Sequence, residues 1–249
     1  RVPGEGEVRL EWKTGEEKQA SQSLALRVRG LYGAENEESE VLEFVKRVTW
    51  LEVSRVNTSD KIVLGSLPFP ASGLVSLRAV RLLGEDMQLS ATFLETLLRQ
   101  KSDPDVAEID IAGQRNVSIG MVEQLIAHKV VNYAELTVLR LKRCKIADLS
   151  LSAVGCMPVL QELDLQDNKI TEVPPTLLQA CPFLEILNFE QNSITVPALD
   201  FRNCRLSSLR LGLNALEYLP TLAPLTNLTE VSLFSLHIKQ CGPRPEHMA

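Results

Sequence analysis

The sequence predicts an α/β solenoid built on a parallel sheet, and two observations carry that prediction. The first is a recurring frame. Leu160, Leu163, Leu165, Asn168 and Ile170 spell L-x-x-L-x-L-x-x-N-x-I. Leu184, Leu187, Phe189, Asn192 and Ile194 repeat it, as do Leu206, Leu209, Leu211, Asn214 and Leu216. The frame opens at Leu136, Leu139, Leu141, Cys144 and Ile146, and a damaged copy closes it at Leu228, Val231, Leu233, Leu236 and Ile238. The second observation is its extension upstream. Val48, Leu51 and Val53, then Leu77, Val80 and Leu82, then Val106, Ile109 and Ile111 fill the strand slots at steps of 29 residues. The next step is 30, and the steps then shorten to 24, 24, 22 and 22. This is the leucine-rich repeat, in about eight copies, with the parallel sheet on the concave face.

Each slot has a physical reason. The L-x-L core is a short strand whose alternate side chains point inward. One repeat cannot bury its own apolar face, so neighbours stack into a continuous core. The Asn slot follows the strand where the chain bends, and an amide there can bond backbone groups that no ladder satisfies. Asn168, Asn192 and Asn214 are therefore expected to stack as a ladder with Cys144 at its upstream end. Leu236 fills the next slot and can make no such bonds, so the array should degrade there.

Taken in order, residues 1–40 read as an N-terminal cap with an acidic loop. Val8, Leu10 and Trp12 alternate with polar residues, and so do Leu24, Leu26 and Val28, which suggests a β-hairpin around a polar loop. Residues 41–135 form the long repeats. Their length leaves room for outer helices over Ala91–Lys101 and Ser118–His128, with Ser90 and Ser118 as N-caps. Residues 136–239 form the short repeats, where Pro174, Pro175, Pro197 and Pro220 suit extended or 3₁₀ backs. Residues 240–249, with Gly242, Pro243 and Pro245, read as a linker.

Composition narrows the function. The net charge is −6 and the pI about 5.3, which argues against nucleic acid as the main partner. No apolar run reaches the length of a membrane span. Residue 1 is Arg and no signal peptide follows, so a fragment or processed cytoplasmic chain is expected. The five cysteines form no C-x-x-C pair and fit reduced thiols better than a disulfide or zinc framework. Sequons at Asn57, Asn116 and Asn227 lack a supporting export signal and read as chance. There is no G-x-S-x-G, P-loop, G-x-G-x-x-G or H-E-x-x-H, and His128, His237 and His247 do not converge with other ligands. The expectation is no catalytic residue, no metal and no cofactor.

The residues that flank the inward leucines should line the concave face. One row runs Glu52, Arg81, Asp110, Arg140, Asp164, Asn188, Arg210, Ser232. The other runs Trp50, Ala79, Glu108, Val138, Glu162, Ile186, Ser208, Glu230. Glu162, Asp164, Glu185, Asn188 and Glu190 make an acidic centre, with Arg140, Lys142 and Arg143 upstream and Arg210 downstream. A protein partner is expected there, on Glu162, Asp164, Asn188, Glu190, Arg210 and Arg140.

Certain segments carry a resemblance. Leu199-Asp200-Phe201-Arg202, the run Leu206–Leu211, and Leu216–Pro220 with Leu225, Leu228 and Ile238 resemble the plant patatin-like phospholipase A family with leucine-rich and armadillo repeats. So do the opening Val8–Glu16 and Leu24–Val28. The match covers about 110 residues at the C-terminal end and about 20 at the start, and the middle departs from it. The resemblance implies a non-catalytic, regulatory repeat module of a lipid acyl hydrolase, with possible armadillo and lipase domains elsewhere in the parent chain. The family's Gly-rich oxyanion segment and Ser–Asp dyad do not occur here, so no catalytic residue carries over. The competing expectation is a stand-alone adaptor, such as a ubiquitin-ligase substrate receptor or a small-GTPase regulator.

Overall fold

The computed structural model describes residues 7–12, 46, 50–55, 62–64, 77–83, 87–89, 106–114, 117, 134–149, 157–195, 199, 201–217 and 221–234. The chain divides into two compact units, Arg1–Gln114 and Arg115–Ala249. Each is a run of parallel strands stacked one repeat apart, and the fold is a leucine-rich-repeat solenoid.

In the first unit, β1 (Glu7–Trp12), β2 (Trp50–Arg55), β4 (Ala79–Leu83) and β6 (Glu108–Ala112) pair in parallel. Leu51, Val80 and Ile109 stand in register, as the repeat frame requires. All three are buried, together with Leu82 and Ile111. β3 (Ile62–Leu64) and β5 (Met87–Leu89) form a second, two-stranded parallel sheet that the apolar pattern did not reveal. The expected hairpin includes one described strand. Its first arm is β1, which pairs with β2 in parallel as a further rung of the stack; the second arm, Leu24–Val28, lies outside the described residues. The expected helices at 91–101 and 118–128 also lie outside them.

In the second unit, β7 (Val138–Arg140), β8 (Glu162–Asp164), β9 (Ile186–Asn188), β10 (Ser208–Arg210) and β11 (Glu230–Ser232) stack in one register. Leu139, Leu163, Leu187, Leu209 and Val231 align across the five rungs. The first four are at most 4% exposed, whereas Val231 is 40% exposed. Each fully buried leucine contributes about 1.5–3 kcal/mol, so the regular rungs carry the core and the last contributes least. Behind the sheet, Val173, Leu177, Leu178, Cys181 and Phe201 close the core. After Pro174 and Pro175 the back forms a short helix, α1 (Leu177–Ala180); Pro197 and Pro220 lie outside the described residues.

The asparagine ladder is present. Asn168 Oδ1 accepts from the backbone N–H of Cys144 and Ile146, both at 3.0 Å. Its Nδ2 donates to the carbonyls of Leu141, Leu165 and Gln166. Asn192 bonds Ile170 N–H and the carbonyls of Leu165, Phe189 and Glu190. Asn214 bonds Ile194 N–H and the carbonyls of Phe189, Leu211 and Gly212. Each amide thus ties its own turn to the preceding repeat. The Leu236 slot lies outside the described residues. Sequence reasoning missed the conformation that presents these amides. Arg143, Asp167, Gln191 and Leu213, each just before its ladder residue, have φ between 55° and 57°. In the first unit Gly113, with φ 75°, precedes the buried Gln114 in the same way.

Candidate functional site

The strand register arranges the core-averted side chains of the second unit into rows. The first is Val138, Glu162, Ile186, Ser208, Glu230, and the second is Arg140, Asp164, Asn188, Arg210, Ser232. Backbone bonds from Leu141 to Asp164, Arg143 to Gln166 and Gln191 to Gly212 continue the stack past the strands. That continuation aligns a third row, Lys142, Gln166, Glu190, Gly212, Phe234.

Charges on this face pair along one diagonal. Arg140 of the second row clamps Glu162 of the first row on the next rung, with Nε and Nη2 each donating at 2.6 Å. Arg210 repeats the move, its Nη2 donating to Glu230 at 2.8 Å. Lys142 of the third row reaches Asp164 of the second at 2.9 Å. In the first unit Arg81 does the same to Glu108, with its guanidinium 5.3 Å from the Trp50 ring centroid. A one-rung offset between cation and carboxylate thus recurs through the array, and charge-assisted bonds of this kind favour one register.

The six expected partner-contacting residues therefore stand in different environments. Asp164 and Asn188 are 5% and 2% exposed. Their Oδ1 atoms accept the backbone N–H of Gln166 and Glu190, both at 3.0 Å, so both side chains hold their own turns. Arg140 and Glu162 are locked to each other. Arg210 is turned to Glu230, and its Nε is buried without an acceptor. Glu190 accepts a hydrogen bond from Ser232 Oγ, two rungs on. Glu185 stands one residue before β9, outside the three rows. Hydrogen bonds from Ser208 and then Arg210 hold the Glu230 carboxyl below the ordinary 4.5.

Sequence reasoning placed Ile186 on this face but missed Phe234. Ile186 is 36% exposed and Phe234 53%. Phe234 lies over Gly212: a Cβ there would stand 2.7 Å from the ring Cε1. The signal that could have revealed it is the third row, obtained by adding two to each second-row position. Among the described residues, no group of three or more His, Cys, Asp or Glu side chains converges for a metal ion. No described helix is long and apolar enough to cross a membrane.

The family model described as "FBD-associated F-box protein At5g56370, LRR repeats" matches residues 94–239, well over half of the chain. The chain belongs to this leucine-rich-repeat family. No curated protein matches it. Two internalins of Listeria monocytogenes share the repeat architecture. The internalin F structure has a TM-score of 0.58 at 19% identity, over 86% of this chain and 56% of that one. The internalin C2 structure has a TM-score of 0.57 at 20% identity, over 90% of this chain and 86% of that one. At these identities the likeness is one of fold. The present leucine-rich-repeat chain spans little more than half the length of internalin F.

Proposed function

We propose that this chain is a non-catalytic protein-binding module whose partner docks on the concave strand face of β7–β11. The observation that carries the reading is the in-register rows of polar and aliphatic side chains on the stacked strands. Side chains held by cross-rung pairs have little freedom left to lose on association. Among the described residues, Cys144, Cys181 and Cys204 are reduced thiols, which supports a reducing, cytoplasmic setting.

The parent chain has two readings. The resemblance of the 199–238 segment supports a regulatory module of a patatin-like lipid acyl hydrolase. The family match, to the repeats of an F-box protein, supports the adaptor reading, a ubiquitin-ligase substrate receptor, and we favour it on that observation. Reading the full transcript decides between them: an F-box supports the adaptor, and armadillo repeats with a G-x-S-x-G support the hydrolase. The binding reading itself is tested by affinity retrieval with the purified chain. Ile186→Arg is expected to abolish retrieval, and Glu172→Arg, on the exposed return segment, to leave it intact. Loss with Glu172→Arg and retention with Ile186→Arg would reject the strand face.

A further inference from the structure

We propose that Glu190 and Phe234 together form the seat for an arginine side chain of the bound partner, an inference that rests on the binding role of the strand face. The argument begins with charge. On the diagonal that organises this face, Arg140, Lys142 and Arg210 each take a carboxylate on the next rung. Glu190 stands where Arg210 would be its diagonal partner. Arg210 is turned instead to Glu230, so Glu190 meets a hydroxyl, that of Ser232. Among the described carboxylates of the three rows, it is the one whose bonds include no cation, and it is half-exposed.

Two separate sets of contacts bring Phe234 beside it. Ser232, which holds the Glu190 carboxylate, is two residues from Phe234 along the chain, about 6–7 Å in extended backbone. Gly212, which the Phe234 ring covers, accepts through its carbonyl the N–H of Gln191, the residue next to Glu190. A half-exposed ring and a cation-free carboxylate therefore adjoin on one face. An anion is repelled there, and a purely apolar side chain leaves Glu190 without a counter-charge. Arginine satisfies both groups, because its planar guanidinium can bond a carboxylate while lying over an aromatic ring. Lysine, a compact and strongly hydrated charge, gains less from the ring.

The test uses the full 249-residue chain against a solid-phase library of random decapeptides. Retained peptides are expected to be enriched in arginine over lysine. Glu190→Gln keeps an acceptor for Ser232, and Phe234→Leu keeps an apolar cover for Gly212, so both should fold normally by circular dichroism. Each is expected to reduce arginine enrichment about fivefold or more, as loss of one partner of such a contact implies. Enrichment that survives both substitutions overturns the seat, as does absence of arginine enrichment in the unmodified chain. If peptides of another composition are retained and Ile186→Arg abolishes their retention, the face binds and the arginine seat alone is lost. If no substitution on the face alters retention, both readings fall.

Discussion

Replacing the three ladder asparagines by leucine should destabilise the chain by graded amounts, and the hydrogen bonds that each one makes set the order. Asn192→Leu removes bonds to one N–H and three carbonyls, but the carbonyls are shared. Leu165 keeps Asn168, Phe189 keeps Asn214, and Glu190 keeps the Asp167 N–H. Only the Ile170 N–H loses its acceptor, and a buried donor left in that state costs about 1–3 kcal/mol. Asn214→Leu gives up the Ile194 N–H and also the Leu211 carbonyl, since Phe189 keeps Asn192 and Gly212 keeps the Gln191 N–H. Asn168→Leu gives up the bonds to two N–H groups, Cys144 and Ile146, and to the Leu141 carbonyl. Its cost should reach about 3–5 kcal/mol, below a simple sum because neighbouring groups relax together. Urea midpoints at unchanged slope measure the order, and amide exchange locates it: in Asn192→Leu, Ile170 should lose protection locally. If Asn192→Leu proves the costliest of the three, or Ile170 stays protected, the bond-sharing argument is wrong.

Three further outcomes are expected. Leu213 holds a left-handed backbone conformation with φ 56° while 39% exposed, so Leu213→Asn should raise stability by about 0.5–1 kcal/mol, read as a higher thermal midpoint. Asp164→Arg puts a cation in place of a buried carboxylate, breaks its pair with the half-exposed Lys142 and uncaps the Gln166 N–H, so it should cost about 3 kcal/mol or more, whereas Glu190→Arg should stay within about 1 kcal/mol of neutral. Equal denaturation midpoints for those two variants would contradict the environments described for them. The Glu230 carboxyl, lowered from 4.5 by Ser208 and Arg210, should titrate back upward in Ser208→Ala when followed by NMR. Because the folded value is the lower one, the stability it supplies is present above the unfolded value and is lost as pH falls through the folded value.

The repeat frame was legible because burial enforces it. Leu51, Val80 and Ile109 in one unit, and Leu139, Leu163, Leu187 and Leu209 in the other, sit in register because any slip would turn them to solvent. The ladder was legible for the same reason: an Asn at a fixed offset from a buried strand has few partners but backbone. The left-handed turns were not legible. Arg143, Asp167, Gln191 and Leu213 carry no common side chain, and the conformation is imposed by the bonds of the residue that follows. The face was legible as rows and not as environments. Arg140 and Glu162 lie in different rows, so their clamp depends on the diagonal reach of an arginine across one rung. Asp164 and Asn188 read as surface groups, yet each turns back to cap its own chain two residues on.

The central claim is that the strand face of β7–β11 receives a protein partner. A photo-crosslinking residue placed at Ile186 and, in a separate sample, at Glu172 tests it most directly. Both positions are exposed, and they lie on the strand face and the return segment respectively. The account predicts a discrete polypeptide adduct from position 186 that excess unlabelled chain competes away, and none from position 172. A competed adduct from 172 with none from 186 would contradict it.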